Sequence, residues 1–259
     1  MPIVQESISE LKDMKKYPKE INYRGNLALL KKQKVSIVGT RHPNQYTKIM
    51  TQNLASKLST SGVCIVSGGA MGVDALAHKS AGVDNTIMVA GTGIDVRYPK
   101  INANLIEEIE KSGLVLSQFK SNTPSAKYNF PLRNELVVAL GNFLIVTQAD
   151  LKSGTMRSVE YALKMNKKIF VLPHRIGESE GTNSLLQSGD ATPIYDINHF
   201  IKELFGIANS DDAKDDFTKF CLKNPTYDEA VRAYPSKIFE AELSGEIEIV
   251  DAKVYLTTL

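Results

Sequence analysis

The chain has 259 residues, 42% of them hydrophobic and 23% charged, which is ample for a buried core and more than one small domain needs. Cys64 and Cys221 stand far apart and form neither a metal-ligand spacing nor a disulfide framework, so no metal is expected and a reducing interior suits the chain. The longest apolar stretch, about residues 136–146, is interrupted by Gly141 and Asn142 and falls short of the roughly 18 residues of a membrane span; with no signal-peptide pattern at the N-terminus, a cytoplasmic protein without a membrane partner is expected.

The net charge of +2 hides an asymmetry. Residues 1–206 hold 25 Lys plus Arg against 18 Asp plus Glu, a balance of +7, whereas residues 207–259 hold 6 against 11, a balance of −5. The larger part suits a polyanion and the smaller one does not.

After an N-terminal extension of residues 1–33, short β-branched runs alternate with stretches of helical period. The runs are VSIVG, VCIVSG, TIMVAG, LVLSQ, FLIVTQ and KIFVLP. Between and after them the spacing predicts helices over Thr47–Thr60, Gly72–Ala81, Ile101–Ser112, Leu132–Leu140 and Thr155–Asn166, a short one from Asn183, and one over Asn198–Leu204. This βαβ rhythm predicts an α/β fold with a doubly wound, mostly parallel sheet covered on both faces. The acidic stretch 207–216 reads as a linker. Residues 217–259 read as two or three short helices ending in a strand pair, a small winged-helix-like domain. Its Lys237 stands among Glu240, Glu242, Glu246 and Glu248, which would repel a phosphate backbone, so protein contacts or a structural role fit it better.

In such a sheet every loop that follows a strand lies on the carboxyl edge, where ligands gather. The unusual residues fall there: Gly39-Thr40-Arg41 after the first run, Ser67 to Gly72 after the second, Gly91-Thr92-Gly93 after the third, and Lys152-Ser153-Gly154-Thr155 after the fifth. Gly68, Gly69 and Gly72 let the backbone turn sharply and uncover N–H groups ahead of a helix start, a phosphate-binding arrangement, and Ser153 to Thr155 open a second one. For Gly72, close helix packing is an equal alternative. Arg41 is placed for a charge-assisted bond to a phosphate or for a structural ion pair. Lys127, Phe130 and Arg133 combine cations with an aromatic ring as single-strand binders do, although Phe130 has a second reading as a ring buried beneath the helix. Asp74 reads as a structural cap of the first helical turn and His78 as a buried hydrogen-bonding residue. A dinucleotide site is not supported, since GTRHPN replaces G-x-G-x-x-G and the glycine turn occupies the place of the expected acid; the Gly-Lys-Ser/Thr of a triphosphate loop is also missing. No cofactor is expected.

The segments IVGTR, VSGGAMGVDALAH, GTGIDVRYP, KYNFPLRNELVVAL, and SGT with PHRIGESEGTNSLLQSG follow one another in an order that resembles the DprA/Smf family of DNA-processing proteins, over about Tyr17 to Tyr195. The resemblance implies an extended Rossmann-like domain and a non-catalytic protein. It further implies binding of single-stranded DNA, homodimers, and protection of incoming DNA with loading of RecA on it during natural transformation and recombination. It places Arg41 and Lys127 on phosphate and Phe130 on a base. The implied DNA-facing set is completed by Gly68, Gly69, Met71, Gly72, Arg133, Asn134, Lys152, Ser153, Gly154 and Thr155. Departures from the family pattern are Gln118 and Gln148 where glutamate is common, Glu135 where arginine is usual, and Met156-Arg157 after SGT. Glu135 is expected to put negative charge beside the strand path.

Two enzymatic readings compete. A nucleotide phosphoribohydrolase of the lysine-decarboxylase-like fold would use a G-G-x-G-T-x-x-E turn; Ser153-Gly154-Thr155 with Glu160 resembles it, but Glu160 lies five residues after Thr155 instead of three and the leading glycine is missing. A hydrolase built on Ser67, Asp74 and His78 lacks the nucleophile elbow.

Overall fold

The apolar runs assemble into one eight-stranded sheet in a computed structural model that describes residues 2–206 and 216–257. Its strands are β1 (Asn22–Gly25), β2 (Lys34–Val38), β3 (Cys64–Ser67), β4 (Thr86–Val89), β5 (Leu114–Ser117), β6 (Leu144–Val146), β7 (Ile169–Val171) and β8 (Thr192–Pro193). The helices that accompany them are α1 (Gln45–Thr60), α2 (Val73–Ala81), α3 (Ala103–Ser112), α4 (Asn129–Leu140), α5 (Gly154–Lys164), α6 (Glu180–Ser188) and α7 (Ile197–Phe205). The spatial order is β1-β5-β4-β3-β2-β6-β7-β8; β1 is antiparallel to β5 and the remaining pairings are parallel. This is the doubly wound, Rossmann-like α/β architecture. Ser36 to Val38 pair in register with Leu144 to Val146, and the winding reverses there, so the loops after β2 and β6 leave the sheet in opposite directions and open a crevice between them.

Strands β2 to β7 are buried along their whole length, as a parallel sheet covered on both faces requires. Val38, Val66 and Val89 meet Leu136 to Leu140 of α4 and Val159 and Ala162 of α5 on one face. Met88 and Val115 meet Ala75 of α2 and Ile106 and Ile109 of α3 on the other. Helix α1 begins at Asn44, whose side chain accepts the Thr47 N–H at 2.8 Å, and the chain leaves it through Gly62 at φ +83°. Helix α4 begins at Asn129, three residues earlier than its apolar period suggests, because Pro131 falls in the first turn, where its missing N–H breaks no helical bond.

Strands β1 and β8 are additions to the expected set. The N-terminal extension carries β1 and contributes Ile8, Leu11, Met14 and Ile21 to the core of the α4 face.

The chain divides into two compact units, Met1–Ile201 and Lys202–Leu259. In the second, α8 (Asp216–Cys221), α9 (Tyr227–Ala233) and α10 (Pro235–Leu243) precede an antiparallel pair, β9 (Ile247–Val250) and β10 (Lys253–Leu256). Phe217, Cys221, Ala230, Ile238, Ala241, Ile247 and Val254 form its core, and Thr226 with Glu229 makes a reciprocal capping box at the start of α9. Residues 207–215 of the expected linker lie outside the described residues.

Candidate nucleic-acid interface

The glycine turn after β3 is seated on the loop after β2. Gly72 adopts φ +78°, ψ −127°, and a Cβ there would stand 2.5 Å from the carbonyl oxygens of both Thr40 and Arg41. The Val73 N–H donates to the Thr40 carbonyl at 3.1 Å. Only glycine meets both demands, so the turn fixes the backbone from which Arg41 projects. Arg41 is exposed, and with His42, Pro43, Lys48, Gly72, Ala75 and Leu76 it lines an open cleft of about 450 Å³. Lys48 and His42 escaped the sequence reading. The signal for Lys48 lies in its place four residues after the α1 cap, which returns it to the same end of the helix as Arg41.

Behind the glycine turn is a buried pair of charged groups. Asp74 accepts the Ala70 N–H at 3.3 Å; burial pushes its carboxyl upward, against the Arg133 guanidinium. Arg133 is 5% exposed, and its Nη1 donates to the Gly68 carbonyl and, at 3.0 Å, to that of Val89, while Nε reaches Asn134 Oδ1 at 3.0 Å. Burial lowers the Arg133 pKa, Asp74 opposes the shift, and Arg41 adds to it. A side chain on Gly68 would run into the guanidinium. Arg133 and Lys127 therefore do not form a pair of surface cations as the sequence suggests: Lys127 is exposed, whereas Arg133 faces inward and holds the glycine turn. The reason is helical geometry, since Asn129, Arg133 and Leu136 share the buried stripe of α4.

Phe130 is half-buried. The Arg133 guanidinium lies 5.9 Å from its ring centroid, Gly91 leaves room for its edge, and a Cβ at Gly91 would come within 2.8 Å of the ring. Tyr98 flanks it at 5.8 Å between centroids with a 32° tilt. Asn134 Nδ2 donates to the Gly154 carbonyl at 3.4 Å, linking α4 to the start of α5. There Ser153 occupies the cap position without a side-chain capping bond, its Oγ is buried and lacks a partner, Thr155 is buried, and Lys152 and Gly154 are exposed. Met71 sits at the tip of the glycine turn, 36% exposed. Arg41, the glycine turn, Arg133 with Phe130, and Asn134 with Gly154 are thus linked by contacts along the carboxyl edge of the sheet. Gly68 and Gly69 are buried and the Gly68 and Ala70 amides turn inward to the Asp74 carboxylate, so the turn does not offer the uncovered N–H groups the sequence suggests; the exposed cations on that edge can hold anions, and the exposed Tyr98 ring can take a flat apolar partner.

Glu135 is buried and its Oε1 accepts the Lys15 N–H at 2.9 Å, so its charge fastens the N-terminal extension to α4 and does not face the loops. Gln148 Oε1 accepts the Asn44 N–H at 3.0 Å and its carbonyl accepts the Thr40 N–H at 2.9 Å, latching the two sides of the crevice. His78 is fully buried, its Nδ1 2.6 Å from Thr86 Oγ1, and burial lowers its pKa to about 3. Ser67 Oγ donates to the Ile37 carbonyl at 2.6 Å, so Ser67 and His78 each have another partner and form no catalytic relay. Glu160 is half exposed and pairs with Arg157 at 3.7 Å. A larger cavity of about 750 Å³ lies at the opposite edge, beneath the N-terminal segment. The buried Lys34 ammonium on its wall bonds Glu10 at 2.5 Å and the carbonyls of Leu30 and Lys32 at 2.6 and 3.0 Å, leaving no donor for an anion. Among the described residues no group of three or more His, Cys, Asp or Glu side chains is placed to hold a metal ion, and no helix is long and apolar enough to cross a membrane.

The edge can be compared with known proteins. The family model for DNA recombination-mediator protein A matches residues 5–205. Protein Smf of Synechocystis is 37% identical over 177 residues, 67% of this chain and 44% of that protein. DNA processing protein DprA of Streptococcus pneumoniae is 36% identical over 186 residues, 70% of this chain and 64% of that protein. The chain therefore spans between about half and two thirds of the length of these curated relatives. Among solved structures, one concerned with the single-stranded DNA binding mode of DNA processing protein A from Helicobacter pylori superposes with a TM-score of 0.78 at 41% identity, covering 79% of this chain and 95% of that one. The X-ray structure of DprA from Streptococcus pneumoniae gives 0.72 at 33% identity, covering 77% and 71%. With its family model matched across the sheet and all its loops, the chain belongs to the DprA/Smf family of DNA-processing proteins, the DNA recombination-mediator protein A family.

Proposed function

We propose that the carboxyl edge of the sheet binds single-stranded DNA without chemistry and with little sequence preference. The observation that carries this reading is the chain of contacts joining Arg41, the glycine turn, Phe130 and the α5 start on one edge, where exposed cations and rings lie together. Arg41, Lys48, Lys127 and Lys152 are exposed and serve phosphates; Met71, Gly72 and Ser153 to Thr155 supply backbone and close approach, while the buried Gly68 and Gly69 shape the turn beneath them. In this reading Arg133 and Asn134 act as positioning residues, the first through the glycine turn and the second through Gly154.

The family supports the wider setting, a cytoplasmic homodimer that protects incoming DNA and helps load RecA on it in natural transformation and recombination. The second unit fits a winged-helix-like module for protein contacts, since Glu240, Glu242, Glu246 and Glu248 are all exposed and unfavourable beside a phosphate backbone.

The test is fluorescence anisotropy with single-stranded oligonucleotides, duplex and nucleoside monophosphate at two salt concentrations. The expected result is binding of single strands of any sequence that weakens steeply with salt. Release of free base from the monophosphate would overturn the non-catalytic reading in favour of a phosphoribohydrolase.

A further inference from the structure

We propose that the outward face of α10 binds a basic amphipathic helix of another protein, with Phe239 and Leu243 as the anchors and the glutamates around them as the charge complement; this rests on the reading of the second unit as a protein-contact module and adds the class of partner. Ile238 and Ala241 turn one side of α10 into the core of the unit. Phe239 and Leu243, four residues apart, lie next to each other on the side away from that core, 48% and 89% exposed. Each is a large apolar side chain, and side by side on one helical face they form a patch, which scattered surface residues do not.

The charge around these anchors selects the partner. Glu240 stands beside Leu243 on the same side of the helix, Glu242 flanks Phe239, and Glu246 and Glu248 follow the turn at Ser244 and Gly245; all four are exposed. The one cation of α10, Lys237, lies over the ring of the core residue Phe217 at 5.1 Å from its centroid. The last turn of α10 contains no basic residue, so its acids face the negative end of the helix dipole uncompensated. A cation brought by a partner relieves both that opposition and the mutual repulsion of the glutamates. Nucleic acid is repelled by this face, and a second copy of it would bring the same four charges. A segment with Lys or Arg around an apolar stripe meets both demands, and a helix presents that stripe at the three- and four-residue spacing of the two anchors. Two anchors make a small contact, so the complex is weak and sensitive to salt.

The probe is a fluorescein-labelled amphipathic peptide of leucine and lysine, about 15 residues long so that it is helical, titrated with the full chain and followed by anisotropy. A scrambled peptide of the same composition and a leucine–glutamate version serve as controls. The unsubstituted chain is expected to bind the leucine–lysine helix at least about tenfold more tightly than either control, and Phe239→Ser with Leu243→Ser should lose about tenfold in that affinity. Both positions are exposed, so the unfolding midpoint and oligothymidylate binding should stay unchanged. Glu240→Lys with Glu242→Lys should reverse the preference toward the leucine–glutamate peptide. No binding of the leucine–lysine helix, equal binding of the scrambled peptide, or affinity unchanged in the serine variant would overturn the proposal and leave the protein-contact reading standing. Loss of oligothymidylate binding in the serine variant would assign α10 to nucleic acid, removing that reading and the proposal with it.

Discussion

Arg133→Met keeps an unbranched side chain in the buried stripe of α4 and removes the guanidinium. The loss includes two charge-assisted bonds to the Gly68 and Val89 carbonyls, each worth about 1.5–3 kcal/mol. It also leaves Asp74, whose carboxyl burial already pushes upward, without its nearest compensating charge. Breaking a buried charge pairing costs about 3–5 kcal/mol, so a destabilisation of about 4 kcal/mol is expected, a large part of the roughly 5–15 kcal/mol that holds a domain folded. Asp74→Asn alone should cost less, because the guanidinium keeps its bonds to the Gly68 and Val89 carbonyls, and the double variant should lose less than the sum by on the order of 1–2 kcal/mol, because the stranded carboxylate is then gone. Urea unfolding followed by circular dichroism measures all three. A loss under about 1 kcal/mol for Arg133→Met, particularly with a large drop in DNA affinity, would show that the guanidinium faces the strand and that its inward role is misassigned.

Arg41→Ala should weaken single-strand binding by about 1–3 kcal/mol and reduce the salt slope by about one, with no change in unfolding midpoint, since Arg41 is exposed. Gly72→Ala and Gly154→Ala should part company: the first forces a Cβ onto two carbonyl oxygens at positive φ and should cost at least about 1–3 kcal/mol of stability, whereas the second meets open space at a helix start and should be neutral or stabilising by about 0.4–1 kcal/mol. His78, held neutral by burial with a pKa of about 3, gives full stability above its ordinary value of 6.5; below that the unfolded chain takes up a proton the native one refuses, and about 1.4 kcal/mol is lost per pH unit. Asp74, with its pKa raised, works in the opposite direction, so the comparison is with His78→Asn, whose urea midpoint should fall less between pH 6.5 and pH 5, by about 2 kcal/mol of stability.

The parallel strands were readable because each is a short β-branched run buried on both faces, and the carboxyl edge followed from their alternation with helices. Strand β1 was not readable: NYRG has no apolar run, and it is a strand because Tyr23 and Arg24 pair antiparallel with Leu116 and Val115. Two-residue β8 owes its place to β7 in the same way. At the site, glycines were more telling than charges. Gly68, Gly72 and Gly91 each mark a place where another group comes close, as the sequence implied for two of them. Arg133 and Glu135 looked like surface charges, because a formal charge says nothing of which face of α4 carries it. The Asn129, Arg133, Leu136 and Leu140 stripe did carry the answer for Arg133; nothing local announced that Glu135 would find a backbone amide 120 residues away.

The loops of the carboxyl edge are bonded to each other as well as to the sheet: Thr40 to Gln148, Val73 to Thr40, Gly93 to Thr123, and Ala149 to Ser179. A receptor in this condition has little freedom left to surrender when its guest arrives. In a complex with DNA, the entropy lost on association falls almost wholly on the flexible nucleic acid, and encounter need not wait for a slow rearrangement of the protein.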